Sequence, residues 1–173
     1  MSAARIGFIG LGVMGEPMCR NLAVKSGARV VAYDRDAAPL ARLTQQGVIA
    51  AASAQAVAEQ ADIVFLSLPS GEIVAQVARG KAGLLAMARA GQTVVDLGTS
   101  SVDLTRQLAV EFAERGANYA DAPVARTRAA AEAGTLSVMV GADAATFARL
   151  RPLLDAIASD ITHCGAVGCG QVV

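Results

Sequence analysis

The amino-acid sequence predicts an α/β fold with a doubly wound, mostly parallel sheet in a single domain. Two observations support this fold class. Short runs of Ile, Val, Phe and Leu alternate along the chain with longer, alanine-rich stretches that suit helices. Several of the short runs are apolar at nearly every position, as is typical of parallel strands that helices cover on both faces. The length of 173 residues is within the usual size of one domain.

The predicted strands are residues 5–9, 28–34, 63–68, 93–97, 119–123 and 136–140. The predicted helices are residues 13–26, 39–46, 53–59, 72–78, 101–115 and 144–158. Boundary residues support several of these helices. Ser101 offers a hydroxyl at the start of its helix, where Asp103 also interacts favourably with the helix dipole. Gly27 and Gly116 follow their helices at the position where a terminating glycine is common.

The composition argues against several classes of protein. The 15 Lys and Arg residues balance 15 Asp and Glu residues, and aromatic residues make up only 3% of the chain. We therefore expect no nucleic-acid partner, because such proteins carry a basic surplus and aromatic stacking residues. No run approaches the ~18 uninterrupted apolar residues of a membrane helix, so we expect no membrane span. The hydrophobic fraction of 54% excludes a disordered chain.

The cysteine pattern indicates a reducing compartment. Cys19, Cys164 and Cys169 form no CxxC pair, and His163 is the only histidine. We therefore expect neither a disulfide framework nor a metal site, and cytoplasmic localisation fits best. The N-terminal apolar stretch runs directly into glycines and lacks the length of a signal peptide.

The clearest motif is a glycine-rich turn that comprises Gly10, Leu11, Gly12, Val13, Met14 and Gly15. Gly10 permits a tight turn, Gly12 lets the backbone approach a pyrophosphate, and Gly15 allows close packing of helix on strand. The N-terminus of the following helix offers free N–H groups and a positive dipole end to the phosphates. This setting predicts a Rossmann-type dinucleotide-binding site. The alternative is a glycine turn that merely connects strand to helix.

The end of the second strand bears on which dinucleotide binds. Asp34 is placed to accept hydrogen bonds from the adenosine ribose hydroxyls, and its carboxylate would repel a 2′-phosphate. The sequence therefore favours NAD over NADP as the cofactor. Arg35 leaves alternatives open, because its guanidinium could pair with that phosphate, lie across the adenine or remain solvated at the surface.

The stretch from Ile6 to Met18 resembles the opening signature of the β-hydroxyacid dehydrogenase family, which includes 3-hydroxyisobutyrate dehydrogenase and 6-phosphogluconate dehydrogenase. Further matches extend over essentially the whole chain: Leu68-Pro69-Ser70, Asp96-Leu97-Gly98-Thr99-Ser100, Asp121-Ala122-Pro123-Val124, Gly134-Thr135-Leu136, Val138-Met139-Val140-Gly141 and Gly165-Ala166-Val167-Gly168-Cys169-Gly170-Gln171. The resemblance implies the N-terminal NAD-binding domain of an oxidoreductase. It does not specify the substrate.

The resemblance also implies cofactor-binding roles beyond the glycine-rich turn. Leu68, Pro69 and Ser70 would form a loop that contacts the nicotinamide side of the cofactor. Thr99 would lie at the carboxyl end of the next strand, near the nicotinamide ribose and the substrate. This placement agrees with the rule that open α/β sheets bind ligands at the carboxyl ends of their strands. For Pro69 and Ser70, an ordinary turn is the alternative.

The sequence departs from the family's pattern at Ala125, Arg126 and Thr127, where relatives commonly carry a Ser-Gly-Gly that holds the substrate carboxylate. Arginine suits bidentate capture of a carboxylate, and it also matches phosphate or sulfonate oxygens. The Pro-Val-x-Arg-Thr run is similar to that of sulfolactaldehyde reductases in this family, which suggests a sulfonate analogue. We predict that Arg126 binds the anionic group of a small substrate. The alternative is that Arg126 or Arg128 points to solvent or pairs with Glu132.

No catalytic residue is predicted within the chain. The family uses a lysine shortly after its last glycine signature, and here that lysine would be the residue after Val173. Lys25 and Lys81 are predicted to lie away from the strand ends that would face the nicotinamide. His163 follows a strand-like segment, where a lone histidine is more often a packed or surface residue than a catalyst.

We therefore expect a dinucleotide-binding domain at residues 1–163 and the start of an interdomain helix at residues 164–173, with the second domain absent. The complete enzyme would interconvert a small 3-hydroxy acid and its semialdehyde with NAD, and the chain alone would be inactive. The resemblance also implies a homo-oligomer in the full-length enzyme. Two alternatives remain open: a non-catalytic dinucleotide-binding module and an imine reductase-like enzyme.

Overall fold

The computed structural model describes residues 3–172, within which one sheet of nine strands packs against eight helices. The strands are β1 (Arg5–Ile9), β2 (Arg29–Tyr33), β3 (Ile49–Ala50), β4 (Ile63–Leu66), β5 (Thr93–Asp96), β6 (Asn118–Asp121), β7 (Val124–Ala125), β8 (Leu136–Gly141) and β9 (Ala158–Gly165). The helices are α1 (Gly15–Lys25), α2 (Ala37–Thr44), α3 (Ala54–Gln60), α4 (Gly71–Arg79), α5 (Leu84–Met87), α6 (Val102–Ala113), α7 (Arg128–Ala133) and α8 (Ala144–Leu154). A short 3₁₀ helix spans Gly170–Val172.

The strand order in the sheet is β3-β2-β1-β4-β5-β6-β8-β7, with β9 paired to β8. The strands from β3 to β6 in this order are parallel, whereas β8 runs antiparallel to β6 and β7 runs antiparallel to β8. The predicted doubly wound, mostly parallel fold is therefore confirmed. The order of the strands reverses between β1 and β4, and the crevice at such a switch point is where open α/β sheets bind ligands.

Each predicted strand and helix is present, but the structure adds the strands β3, β7 and β9 and the helices α5 and α7. The added strands β3 and β7 are only two residues long, too short to show any periodicity. Helix α8 ends at Leu154 rather than at residue 158, because the chain turns there into β9. Alanines at positions 156 and 158 suit a helix well, so the residue pattern does not mark this boundary.

The predicted capping and terminating residues of α1 and α6 are confirmed, although each helix is three residues shorter than predicted. Ser101 caps α6 by accepting a hydrogen bond from the N–H of Leu104 at 3.2 Å. Gly27 and Gly116 have φ angles of +69° and +72°, the left-handed conformation in which a terminating glycine is unstrained. Within residues 3–172, no helix is long and apolar enough to cross a membrane.

Strand β9 continues past residue 163, the predicted end of the dinucleotide-binding domain. Cys164 and Gly165 belong to this strand, and Gly165 pairs with Gly141 at the end of β8. Residues 164–173 were expected to begin a helix, but their first part is strand and turn. Helical turns start only with the 3₁₀ helix at Gly170, and Val173 lies outside the described residues.

Apolar side chains cover the sheet on both faces. In β1, Ile6 and Phe8 pack in one layer with residues of α1 and α8, whereas Ile9 packs in the other layer with residues of α3 and α4. Phe8 and Phe65 are fully buried in the first layer, and their ring centroids lie 6.2 Å apart. The aromatic pair therefore joins β1 to β4 directly beneath the switch point.

Replacing Phe8 with alanine should lower the free energy of unfolding by about 3–5 kcal/mol, because the change leaves a cavity beside Phe65. Val110→Ala on α6 is the matched control, since Val110 is 60% exposed and should change stability by no more than about 0.5 kcal/mol. Urea unfolding of both variants measures the difference. Equal, small effects would show that the Phe8–Phe65 contact contributes little.

Candidate functional site

A cavity of about 540 Å³ opens at the carboxyl ends of β1, β2 and β4, directly at the switch point. Its walls include many of the predicted cofactor residues: Gly10, Gly12, Val13, Met14, Gly15, Asp34, Arg35, Leu68 and Pro69. The predicted residues that lie elsewhere are Leu11, Ser70, Thr99, Ala125, Arg126 and Thr127. The dinucleotide half of the predicted site is thus assembled around one cavity, and the substrate half lies beyond it.

The cavity also has lining residues that the sequence analysis did not identify: Ile9, Tyr33, Ala54, Ser67, Ile73, Gln76 and Val77. Three of these, Ile73, Gln76 and Val77, form one face of α4. Their i, i+3, i+4 spacing is the signal that could have found them, because such positions share one side of a helix. Helix α4 therefore supplies part of the cavity wall.

Neighbouring backbone atoms exclude a side chain at two of the three glycines of the turn but not at the third. Gly10 has a φ angle of +97°, and a Cβ atom there would collide with the Ser67 carbonyl oxygen. A Cβ atom on Gly15 would collide with the Gly10 carbonyl oxygen. Beside Gly12, in contrast, no atom beyond its two chain neighbours lies within 4 Å of an added Cβ atom. The packing of the protein therefore requires Gly10 and Gly15, whereas the space at Gly12 belongs to the cavity.

The N-terminus of α1 faces this space with its hydrogen-bonding groups poorly capped. The N-cap residue Met14 has no side chain that accepts a hydrogen bond, and Pro17 in the first turn has no N–H group. A helix N-terminus carries a partial positive charge and unpaired N–H groups. The end of α1 therefore suits a bound anion at Gly12.

Asp34 fastens the glycine-rich turn to the end of β2. Its Oδ2 accepts a hydrogen bond from the backbone N–H of Leu11 at 2.6 Å, and its Oδ1 accepts one from the N–H of Asp36 at 2.7 Å. A carboxylate has acceptor positions beyond these two, so Asp34 can still bind hydroxyl groups in the cavity. Leu11 is itself buried, so its backbone N–H orients Asp34 while its side chain packs in the core.

A buried carboxylate, that of Asp96, lies under the loop that follows β5. Asp96 accepts a hydrogen bond from the N–H of Gly98 at 2.9 Å and another from the Ser100 hydroxyl at 2.7 Å. Thr99 is exposed at the tip of this loop. The loop contacts the wall of the cavity, because a Cβ atom on Gly98 would lie 3.2 Å from the Leu68 carbonyl oxygen.

Ala125 is the last residue of β7, and the loop that follows carries Arg126 and Thr127; all three residues are exposed. Arg126 has a φ angle of +93°, the only such angle at a non-glycine residue in the described part of the chain. Nη1 of Arg126 donates hydrogen bonds to the Thr135 carbonyl at 2.8 Å and to the Ser159 hydroxyl at 3.3 Å. The backbone of Arg126 is therefore strained in a conformation that favours glycine, a cost of about 1–2 kcal/mol.

Arg128 differs from Arg126 because it pairs with Glu132, with 2.9 Å between Nε and Oε1. The predicted alternative of a pair with Glu132 thus applies to Arg128, whereas Arg126 has other partners. Thr127 acts as the N-cap of α7 and accepts a hydrogen bond from Ala130 at 3.4 Å.

Helix α1 holds α7 in place by capping its C-terminus. Asn21 is buried, and its Nδ2 donates to the Ala131 carbonyl at 2.8 Å. Nζ of Lys25 donates to the Ala133 carbonyl at 3.1 Å. Cationic and amide donors at this end of a helix satisfy carbonyl groups that have no partner within the helix. Lys25 therefore has a structural contact outside the cavity.

His163 also lies outside the cavity. Its Nε2 donates a hydrogen bond to the Ala142 carbonyl at 2.7 Å, and its ring stacks on Phe147 with centroids 4.4 Å apart. These contacts fit the predicted packing role. Among residues 3–172, neither a lysine nor the histidine lines the cavity.

Comparison with known proteins agrees with this geometry. The family model for the NAD binding domain of 6-phosphogluconate dehydrogenase matches residues 5–165. The chain is 44% identical over 169 residues to 2-(hydroxymethyl)glutarate dehydrogenase from Eubacterium barkeri, a match that covers 98% of this chain and 56% of that protein. It is 37% identical to the solved structure of Mycobacterium tuberculosis 3-hydroxyisobutyrate dehydrogenase with L-serine, with a TM-score of 0.91, covering 99% of this chain and 57% of that one.

An imine reductase from Myxococcus stipitatus, solved as a variant with NAD⁺, is 20% identical with a TM-score of 0.89, covering 99% of this chain and 58% of that one. At this identity the likeness shows the fold alone. The chain spans about half the length of the curated relatives it matches.

Burial raises the pKa of the Asp96 carboxyl above its ordinary value, although hydrogen bonds from Ser100 and Gly98 oppose the rise. The folded protein therefore binds a proton at Asp96 more tightly than the unfolded chain does. Its contribution to the free energy of unfolding rises as the pH falls from this raised pKa towards about 3.9. At Asp62, hydrogen bonding to Arg5 lowers the pKa, so the sign is opposite and stability is lost as the pH falls through the lowered pKa.

We expect the stability of the unmodified protein relative to Asp96→Asn to increase as the pH falls from 7 towards about 4, because only the unmodified protein takes up this proton. Relative to Asp62→Asn, the same protein should lose stability below about pH 4. Urea unfolding at several pH values measures both differences. If both stability differences change in the same direction as the pH falls, the opposite pKa shifts assigned to Asp96 and Asp62 are contradicted.

Proposed function

This chain belongs to the family of NAD-binding domains of 6-phosphogluconate dehydrogenase, and we propose that it binds NAD for an oxidoreductase that interconverts a small 3-hydroxy acid and its semialdehyde. When bound, NAD would accept or supply the hydride. The residues of this chain would bind the dinucleotide, orient it and attract the anionic group of the substrate. The relatives that share this domain include hydroxy-acid dehydrogenases, which supports the proposed reaction class.

The observation that carries this proposal is the empty space beside Gly12. Gly10 and Gly15 are required by backbone contacts, but no contact within the protein explains glycine at position 12. A pyrophosphate beside Gly12 explains it, because the phosphates would approach the main chain at the uncapped end of α1. The position of the cavity at the switch point supports the same ligand.

Asp34 supports NAD rather than NADP as the preferred cofactor. Its carboxylate is held by Leu11 and Asp36 at the wall of the cavity, so it cannot easily turn away from a 2′-phosphate. Two ribose hydroxyls, in contrast, could donate to its free acceptor positions. Arg35 also lines the cavity and would then lie beside the adenine.

For the substrate, we propose that Arg126 binds a carboxylate or sulfonate group. The strained backbone of Arg126 supports this role, because strain of this kind persists mainly where function requires it. Its guanidinium uses Nη1 for the contacts with Thr135 and Ser159, which leaves other N–H groups for a bidentate contact. A cation at this position favours an enzyme over the alternative of a non-catalytic binding module.

Two expectations about the complete protein remain proposals. Three cysteines without disulfide partners suit a reducing compartment such as the cytoplasm. The family resemblance further suggests that the complete enzyme is a homo-oligomer.

Gly12→Ala should lower the affinity for NADH by about tenfold or more while changing the free energy of unfolding by less than about 1 kcal/mol. Gly15→Ala is the matched variant, because its methyl group overlaps the Gly10 carbonyl and should destabilise the fold by about 1–3 kcal/mol. Calorimetric titration with NADH and NADPH, together with urea unfolding, measures both effects. Undiminished NADH binding by Gly12→Ala would contradict the site, and tighter binding of NADPH would contradict the cofactor preference.

Arg126→Gly should keep the stability within about 1 kcal/mol, because glycine relieves the strain while the side-chain hydrogen bonds are lost. We expect the affinity of the NAD⁺-saturated chain for 3-hydroxypropionate and 2-hydroxyethanesulfonate to fall by about tenfold. Arg128→Ala is the control and should leave both affinities unchanged, since Arg128 pairs with Glu132. Calorimetry measures the affinities, and an unchanged value for Arg126→Gly would remove Arg126 from the site.

A further inference from the structure

The turn between β9 and the 3₁₀ helix is built on the carboxylate of Asp121. This residue, at the end of β6, has no exposed surface. Its Oδ1 accepts a hydrogen bond from the N–H of Gly168 at 2.6 Å, and its Oδ2 accepts one from the N–H of Gln171 at 2.9 Å. The two oxygens of one buried carboxylate thus hold the main chain at Gly168 in the turn and at Gln171 in the 3₁₀ helix. Hydrogen bonds to a charged group are stronger than neutral ones.

Glycines let this turn approach Asp121 closely. A Cβ atom on Gly170 would lie 2.8 Å from Oδ2 of Asp121 and 3.0 Å from the backbone nitrogen of Gly141. A Cβ atom on Gly141 would collide with the Asp121 carboxylate itself. Gly168 has a φ angle of +94°, which only glycine adopts without strain. The spacing of these glycines therefore serves the contact with Asp121, and the 3₁₀ helix starts at a fixed place.

From this place the side chain of Gln171 reaches the loop after β5. Its Nε2 donates to the Gly98 carbonyl at 2.9 Å, and its Oε1 accepts from the N–H of Ser100 at 3.2 Å. The amide group thus spans Thr99 by binding the residues on either side of it. On the other side of the loop, Asp96 holds Gly98 and Ser100. The exposed Thr99 is therefore fixed from two directions.

This loop lies where the second half of a dinucleotide would extend. The cavity runs from Asp34 at the end of β2, past the glycine-rich turn, to Leu68 after β4. Strand β5 is the next strand of the sheet, and Gly98 packs against the Leu68 carbonyl. A dinucleotide with its adenosine ribose at Asp34 and its pyrophosphate at Gly12 would place its nicotinamide half towards residues 98–100.

We infer that Gln171, fixed by Asp121, is a positioning residue that holds the loop at residues 98–100 against the nicotinamide half of the bound dinucleotide. The inference rests on the proposed function. It assigns to Gln171 an effect on one half of the ligand only, since the adenosine end is bound by residues that Gln171 does not contact. The binding of ADP-ribose, which lacks the nicotinamide, separates this effect from a general loss of structure.

The test compares NADH and ADP-ribose binding to this chain by titration calorimetry, using Gln171→Met to remove both side-chain hydrogen bonds. We expect the NADH affinity to fall about three- to tenfold and the ADP-ribose affinity to stay within about twofold. Gln171→Glu keeps an acceptor for Ser100 but places a carboxylate oxygen against the Gly98 carbonyl, so it should lower the NADH affinity at least as far as Gln171→Met. Gln107→Met, on the exposed face of α6, is the matched control and should change neither affinity.

Amide hydrogen exchange gives a second, independent measurement. The Ser100 N–H should exchange faster in Gln171→Met, because it loses its acceptor, while the exchange of the Leu11 N–H, bound to Asp34, should stay the same. Equal losses of affinity for both ligands, or no loss for either, would overturn the inference. So would equal affinity of the unmodified chain for NADH and ADP-ribose. Failure of the unmodified chain to bind either ligand would instead overturn the proposed function.

Discussion

The contact between the glycine-rich turn and the end of β4 is the constraint on which the candidate site depends. The main chain at Gly10 lies so close to the Ser67 carbonyl that no side chain fits between them, and Gly15 lies equally close to Gly10. Hydrogen bonds hold the same region from both sides: the Gly10 N–H donates to Tyr33 of β2, and the Ser67 N–H donates to Ile9 of β1. These short distances determine where α1 begins and in which direction it runs.

The direction of α1 in turn determines the position of the distant β7 loop. Asn21 and Lys25, further along the same helix, bind the carbonyl groups at the end of α7. The N-cap of α7 is Thr127, directly after Arg126. The residues proposed for the pyrophosphate and those proposed for the substrate anion therefore share one helix as support. Their separation is set by packing between α1 and α7 rather than by the chain that connects them.

The dinucleotide half of the site is predictable from the sequence because its determinants are local. The glycine-rich turn and Asp34 each follow an apolar strand, so a spacing in the chain corresponds to a contact in space. The other half depends on contacts between distant residues, such as Arg126 with Ser159 and Gln171 with Gly98, which no local pattern encodes. Strand β7 is too short for a periodic signal, and the end of α8 is hidden by alanines that suit a helix. In α4, the spacing of Ile73, Gln76 and Val77 predicts that they share one face of the helix, but it does not predict that this face lines the cavity.

The attachment of the chain to Asp121 also has a mechanical consequence. Because Gly168 and Gln171 are both tied to one buried carboxylate, the main chain reaches the surface at a defined point and with a defined heading. If a reporter protein were fused after Gln171 through a short, stiff helix, the direction of the main chain at Gln171 would set the orientation of the reporter. Its distance and angle to the cofactor cavity could then be calculated in advance. The domain therefore offers a fixed attachment point for the reporter of an optical dinucleotide sensor.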